Sequence, residues 1–211
     1  MRSRGPGAAL AGATLVAASF VAGCGPRVGV TRPMPRGVIV IGSTQPYPVD
    51  GRTALEIGAA LASARRGDGR GFVGYHQWRM QWRWRYANTG SGCRISDVRI
   101  EVHSTVRIPE WRRPAGPPAE LVDQWERYLA ALQDHELQHE RIVVEGAGEI
   151  VRRLEQLREM SCQTLGVEAN REGERLVQEL RERSARFDAD TRHGGTAGAR
   201  WPPPARPDPT P

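Results

Sequence analysis

Between Leu121 and Leu157 an apolar stripe returns mostly in alternating steps of four and three, and at two successive turns of that stripe the residue is histidine, His135 and then His139. The spacing predicts a long helix with one buried face. A chain that turns two imidazoles inward must supply partners for their ring nitrogens, and this restricts what can be packed against the helix. Together with the residue between them the pair reads His135-Glu136-Leu137-Gln138-His139. On a helix its histidines lie one turn apart on a single face, the spacing at which both reach one zinc ion while the glutamate acts on a water molecule. A shared metal gives each ring one partner. Backbone carbonyls or strand side chains would be the other solution, with Glu136 solvated.

The surroundings of the helix predict an α+β domain with a small antiparallel sheet. Val38 to Ile41 reads as a short strand, and Tyr47-Pro48-Val49-Asp50-Gly51 as a strand end and turn. Thr53 is a candidate N-cap for a helix over Ala54 to Arg66, broken by Gly67 to Gly71. Trp78 to Tyr86 alternates large apolar with polar residues, and Val98, Ile100 and Val102 alternate again, so the turn at Asn88 to Gly92 joins an antiparallel hairpin. The tryptophan row reads as a core face rather than a ligand platform. Pro109 to Pro118 reads as a proline-rich connection to the motif helix, and Gly146 and Gly148 are the places where that helix could break or bend.

A catalytic zinc site needs a third protein ligand. A further histidine six residues beyond His139 is absent, because that position is Glu145. After Met160 a turn through Ser161 to Gly166 leads into a second helical stripe, with Ala169, Gly173, Leu176, Leu180, Ser184 and Phe187 on one face. The two helices form an antiparallel hairpin. From His139 to the turn is about 33 Å at 1.5 Å per residue, and the same rise brings the return helix to Asp188. The ligand candidates there rank His193 first for its ligand type and the free loop at Gly194-Gly195, then Asp190, then Asp188.

The ends of the chain carry signals of another kind. Arg2 and Arg4 precede an apolar run from Ala8 to Ala22, the pattern of a signal peptide over residues 1–23. The run closes in Val21-Ala22-Gly23-Cys24, which resembles the lipobox of bacterial lipoproteins and predicts lipidation of Cys24 and a membrane anchor, at the outer membrane in a Gram-negative cell. Residues 24–36 read as a tether, residues 37–201 as the folded domain and 202–211 as a disordered proline-rich tail. In an oxidising compartment the two remaining cysteines, Cys93 and Cys162, are expected to form a disulfide. The chain is basic, at +6, and all of its cations are arginines because it has no lysine. They are scattered among glutamates rather than gathered in a block, which argues against a nucleic-acid partner.

The residues just described also carry a resemblance. Tyr47 to Gly51, Trp82-x-Trp84-x-Tyr86, Cys93, Pro109, Trp125, the His135 to His139 motif, Cys162 and Asp190-Thr191-x-His193-Gly194 resemble the bacterial domain of unknown function 922, described as predicted secreted zinc-dependent proteases. The resemblance implies a zincin-like fold, with the motif helix beneath a small sheet. The expectation is therefore a membrane-anchored extracytoplasmic Zn2+ peptidase with His135, His139 and His193 as ligands and Glu136 as general base on a zinc-activated water. Its partners would be a peptide or protein substrate, or a cell-wall peptide, held in extended form along the strand from Val98 to Ile108. Tyr86, His76, His103 and several arginines are candidates for a second oxyanion donor. The competing expectation is a non-catalytic lipoprotein that uses the same scaffold to bind an envelope partner.

Overall fold

The computed structural model describes residues 34–67, 71–90, 92–158 and 161–204. The signal peptide, Cys24, most of the tether and the tail beyond residue 204 lie outside them. Among the described residues no helix is long and apolar enough to cross a membrane.

The elements are β1 (Val38–Val49), α1 (Ala54–Gly67), β2 (Tyr75–Asn88), β3 (Cys93–Trp111), α2 (Ala119–Gln156) and α3 (Cys162–Thr191), followed by a short 3-10 turn at Gly195–Ala197. The fold is α+β, with the three strands in the order β1-β3-β2. The sheet is mixed rather than antiparallel throughout. β2 and β3 form the expected antiparallel hairpin, whereas β1 pairs with β3 in parallel, Val38 opposite Ile100 and Val49 opposite Trp111. The connectivity accounts for this. The chain crosses through α1 before β2, β2 turns straight back, and β3 enters between the other two in the direction of β1.

The strands are also longer than their apolar alternation suggests. β1 runs unbroken through Gly42 to Pro48, where alternation is lost. It tolerates Pro46 and Pro48 because, among the described residues, it is an edge strand with one side free of ladder bonds. Pro109, expected in the connection, lies inside β3 opposite Tyr47. There the ladder with β2 has already ended, its last pair being Tyr75 with Arg107, so one side of β3 makes no demand for an N–H.

Helix α2 spans 38 residues without interruption. Gly146 does not break it but lets α3 come close, since a Cβ there would stand 2.7 Å from Leu180 Cδ1 and 2.8 Å from its Cγ. On α3, Gly173 does the same for Trp82, whose Cζ2 would meet a Cβ at 2.9 Å. Contacts between Gly146 and Leu180, and between His135 and Asp188, run in opposite order along the two helices, so the hairpin is antiparallel as expected. Thr53 Oγ1 caps α1 and Ser161 Oγ caps α3, each accepting an N–H at 3.2 Å. A disulfide joins Cys93 to Cys162, tying the start of β3 to the start of α3.

Two apolar clusters flank the middle of α2. One lies between the sheet and the hairpin, with Ile100, Val102, Val143, Ile150, Leu154 and Leu180 fully buried and Trp78, Met80, Trp82 and Trp84 packed against them. The tryptophan row is therefore a core face. The other gathers Val49, Ile57, Trp111, Trp125, Tyr128 and Leu132 around α1. Between Leu132 of one cluster and Val143 of the other, the buried side chains of α2 are His135, Glu136 and His139.

Candidate metal and catalytic site

His135 and His139 are each 6 % exposed. Their Nε2 atoms face one another at 3.2 Å, and Asp188 Oδ1 on the returning helix lies 3.1 Å from the first and 3.0 Å from the second. Phe187 packs against both rings, with centroids 4.9 and 5.0 Å away. Burial alone would raise the pKa of Asp188, but the hydrogen bonds from the two imidazoles and the nearby charges of His139 and His193 hold it far below the ordinary carboxylate range.

These three side chains form the one group of His, Cys, Asp or Glu donors among the described residues that could hold a metal ion, with ligand atoms within 4.8 Å of one another. The triangle suits a metal better than a set of hydrogen bonds. A tetrahedral zinc site with bonds of about 2.0–2.1 Å has ligand-to-ligand edges of about 3.3 Å, close to the 3.0–3.2 Å seen here. Two neutral imidazoles have at most two Nε2 protons for three edges, and protonating both Nε2 atoms sets donor against donor. A cation meets three lone pairs at once.

Asp188, ranked last of the three candidates, is the carboxylate that enters the group. His193, ranked first, lies behind it, 54 % exposed, with Nδ1 3.3 Å from the same Oδ1 and its ring 4.7 Å from Phe72. Asp190 is exposed and outside the group. The Thr191-x-His193-Gly194 element has a local purpose: Thr191 Oγ1 bonds Phe187 O at 2.7 Å and receives Gly194 N at 3.3 Å, wrapping the end of α3. Gly194 sits at φ +78, where a Cβ would stand 2.9 Å from His135 Cγ. Only glycine fits between the helix end and that ring.

Glu136 is 3 % exposed, not solvated, and its Oε2 has no hydrogen-bond partner. Burial raises its pKa to about 7, opposed by His139 and reinforced by Asp188. It opens, with the three donors, onto a cavity of about 820 Å3 lined also by Phe72, Tyr75, His76, Trp78, Tyr128 and Trp201. Tyr128, which the sequence did not single out, is buried beside Glu136, and burial, then Tyr47 and Glu136, push its hydroxyl far above the usual range. Of the proposed oxyanion donors, His76 and the arginines Arg65, Arg192 and Arg200 reach the cavity. Tyr86 is largely exposed elsewhere, and His103 is engaged by Glu101 and Arg79. His76 is drawn down to about 4, by burial and then by His139, and so is neutral at pH 7.

The fold and site thus define an α+β domain whose longest helix presents a buried His-Glu-x-x-His segment to a carboxylate on its hairpin partner. The chain belongs to the bacterial protein family of unknown function DUF922, whose sequence profile matches residues 44–194. Comparison with curated proteins and comparison with solved structures each return no match.

Proposed function

We propose that this protein is a zinc-dependent peptidase of zincin-like architecture that works outside the cytoplasm. The observation that carries the reading is the orphaned Glu136 Oε2, buried next to a three-donor triangle at the floor of an 820 Å3 cavity. A buried carboxylate oxygen without a partner is destabilising unless something else binds it, and a water or substrate molecule meets that need. His135, His139 and Asp188 would hold the metal, with His193 orienting the Asp188 carboxylate from behind. A zinc ion held there supplies Lewis-acid activation of water and of a carbonyl group. Glu136 accepts the proton of the attacking water and returns it to the leaving amine. Phe187 and the walls of the cavity keep bulk water from the imidazoles. Substrate would lie in extended form beside β2, an edge strand among the described residues, whose His76 and Trp78 line the cavity. β3, the strand expected to do this, is the central strand and has no free edge beside β2.

The disulfide supports an oxidising compartment. The proposal retains a signal peptide over residues 1–23, a lipid anchor at Cys24 and a tether to residue 36 on the strength of the sequence. The test is metal analysis of the purified mature domain beside His135→Ala, followed by cleavage of unfolded casein. One zinc per chain, lost in His135→Ala, and a Glu136→Gln form that keeps zinc but stops cleaving are the expected results. Absence of stoichiometric zinc, or equal cleavage by Glu136→Gln, would overturn the proposal.

A further inference from the structure

Ser104, which is buried, and His76, which is partly buried, are polar residues outside the three-donor group. Ser104 is 3 % exposed on the inner face of β3, and its Oγ donates to Glu140 Oε1 at 3.2 Å. His76 Nε2 lies 2.9 Å from the same Oγ. A carboxylate only accepts, and a hydroxyl has one proton to give. With that proton committed to Glu140, the Ser104 oxygen must accept, and the donor is His76 Nε2–H. The chain of bonds thereby fixes the tautomer of the imidazole and leaves Nδ1 with a lone pair. The described residues offer Nδ1 no partner, although the ring lines the cavity and lies 6.4 Å, centroid to centroid, from that of His139.

Such a nitrogen is not an oxyanion donor, because it carries no proton. It is not one of the clustered metal donors either. What it can do is accept, and in a polypeptide the recurrent donor is the backbone N–H. The geometry points to His76 as a substrate-positioning acceptor: its Nδ1 takes a hydrogen bond from a backbone N–H of the bound chain near the scissile bond, and Ser104 and Glu140 hold the tautomer that makes this contact. The substrate class follows. The site favours chains that present an amide N–H at that point over esters of the same shape. This inference rests on the peptidase reading above and adds to it a residue and a selectivity.

Two measurements test it. In the 15N-labelled full chain, two-bond proton–nitrogen correlations of the histidine rings, with His76 assigned from its loss in His76→Phe, are expected to place the proton on Nε2. Glu140→Ala removes the acceptor of the Ser104 proton, so the serine hydroxyl is free to donate to His76 Nε2 and the share of rings protonated on Nδ1 should rise. A wild-type ring protonated on Nδ1 overturns the inference whether or not casein is cleaved.

With zinc-loaded protein and unfolded casein, His76→Phe is expected to raise KM roughly 3- to 10-fold, the size of one neutral hydrogen bond, with kcat within about twofold and zinc content unchanged. His76→Asn, whose Oδ1 stands near the position of Nδ1, should restore KM, and His76→Gln should not. Cleavage with wild-type KM in His76→Phe overturns this inference alone. No cleavage by the wild-type chain overturns the peptidase reading and the substrate part of the inference with it.

Discussion

Replacing Asp188 and His193 separately decides which of them would belong to the proposed metal site. Asp188 Oδ1 lies 3.1 and 3.0 Å from the two motif imidazoles, whereas His193 reaches that same oxygen from the other side at 3.3 Å and is half exposed. In the proposed metal site Asp188 would be a ligand and His193 would support it. Zinc at a hundred times its dissociation constant stabilises a folded domain by about 2.7 kcal/mol if it ignores the unfolded chain. For a domain of this size that is a rise in melting temperature of roughly 5–11 °C over the metal-free protein. His193→Ala removes an outer partner, which typically weakens metal binding by about 10- to 100-fold. The rise should shrink at that zinc concentration and return in full when zinc is increased by about two orders of magnitude. Asp188→Asn removes the negative charge of the carboxylate that faces both imidazoles, so no saturable rise should return within the same range. The assay is differential scanning fluorimetry, each variant referred to its own EDTA baseline across a zinc titration. The opposite order, with Asp188→Asn recovering and His193→Ala not, would refute the assignment and restore His193 as the third ligand.

Two further outcomes test the scaffold. Gly146→Ala gains about 1 kcal/mol of helix propensity but drives a methyl group to within 3 Å of Leu180, an overpacking that costs about 1–3 kcal/mol; thermal melting should show a net loss, partly relieved in a double-mutant cycle with Leu180→Ala, and a net gain would contradict the close approach of α2 and α3. Glu172 is held near a pKa of about 2 by hydrogen bonds from Arg175 and Arg153 and against the opposing effect of burial, so its contribution to stability is complete above its ordinary pKa of 4.5 and is lost as pH falls through about 2. Glu172→Gln should therefore melt roughly 1–3 °C below wild type at pH 7, the scale of a solvent-screened ion pair, and the difference should fade between pH 4.5 and pH 2; a difference that persists at pH 2 would remove the ionic explanation.

The elements most legible in the sequence were those whose periodicity is maintained by one continuous buried face. The stripe of α2, the tryptophan face of β2, the cap at Thr53 and the hairpin between β2 and β3 are all written in alternation or in turn chemistry. The direction of β1 was not, because parallel and antiparallel edges bury the same side chains. Its length was hidden too, since an edge strand tolerates the glycine and prolines that normally mark a strand's end. Gly146 reads as a helix breaker in isolation. It is a packing residue only once Leu180 is known to face it.

The site shows most clearly where two kinds of sequence argument diverge. Helix arithmetic brought the return segment back to Asp188, and the α3 stripe through Leu180 and Ser184 continues one turn further to the same residue. Ligand preference favoured His193 instead. The geometric argument had the firmer basis, because a rigid hairpin fixes where a side chain on it can point, while chemical suitability says nothing about position. His193 follows the left-handed residue that ends α3 and is itself left-handed, at φ 54, so its side chain has left the helical register and meets the Asp188 carboxylate, at 3.3 Å, instead of joining the two motif imidazoles. A buried seam in which two histidines interrupt the apolar stripe calls for a complementary interruption on the facing helix, and Asp188, beside Phe187, supplies it.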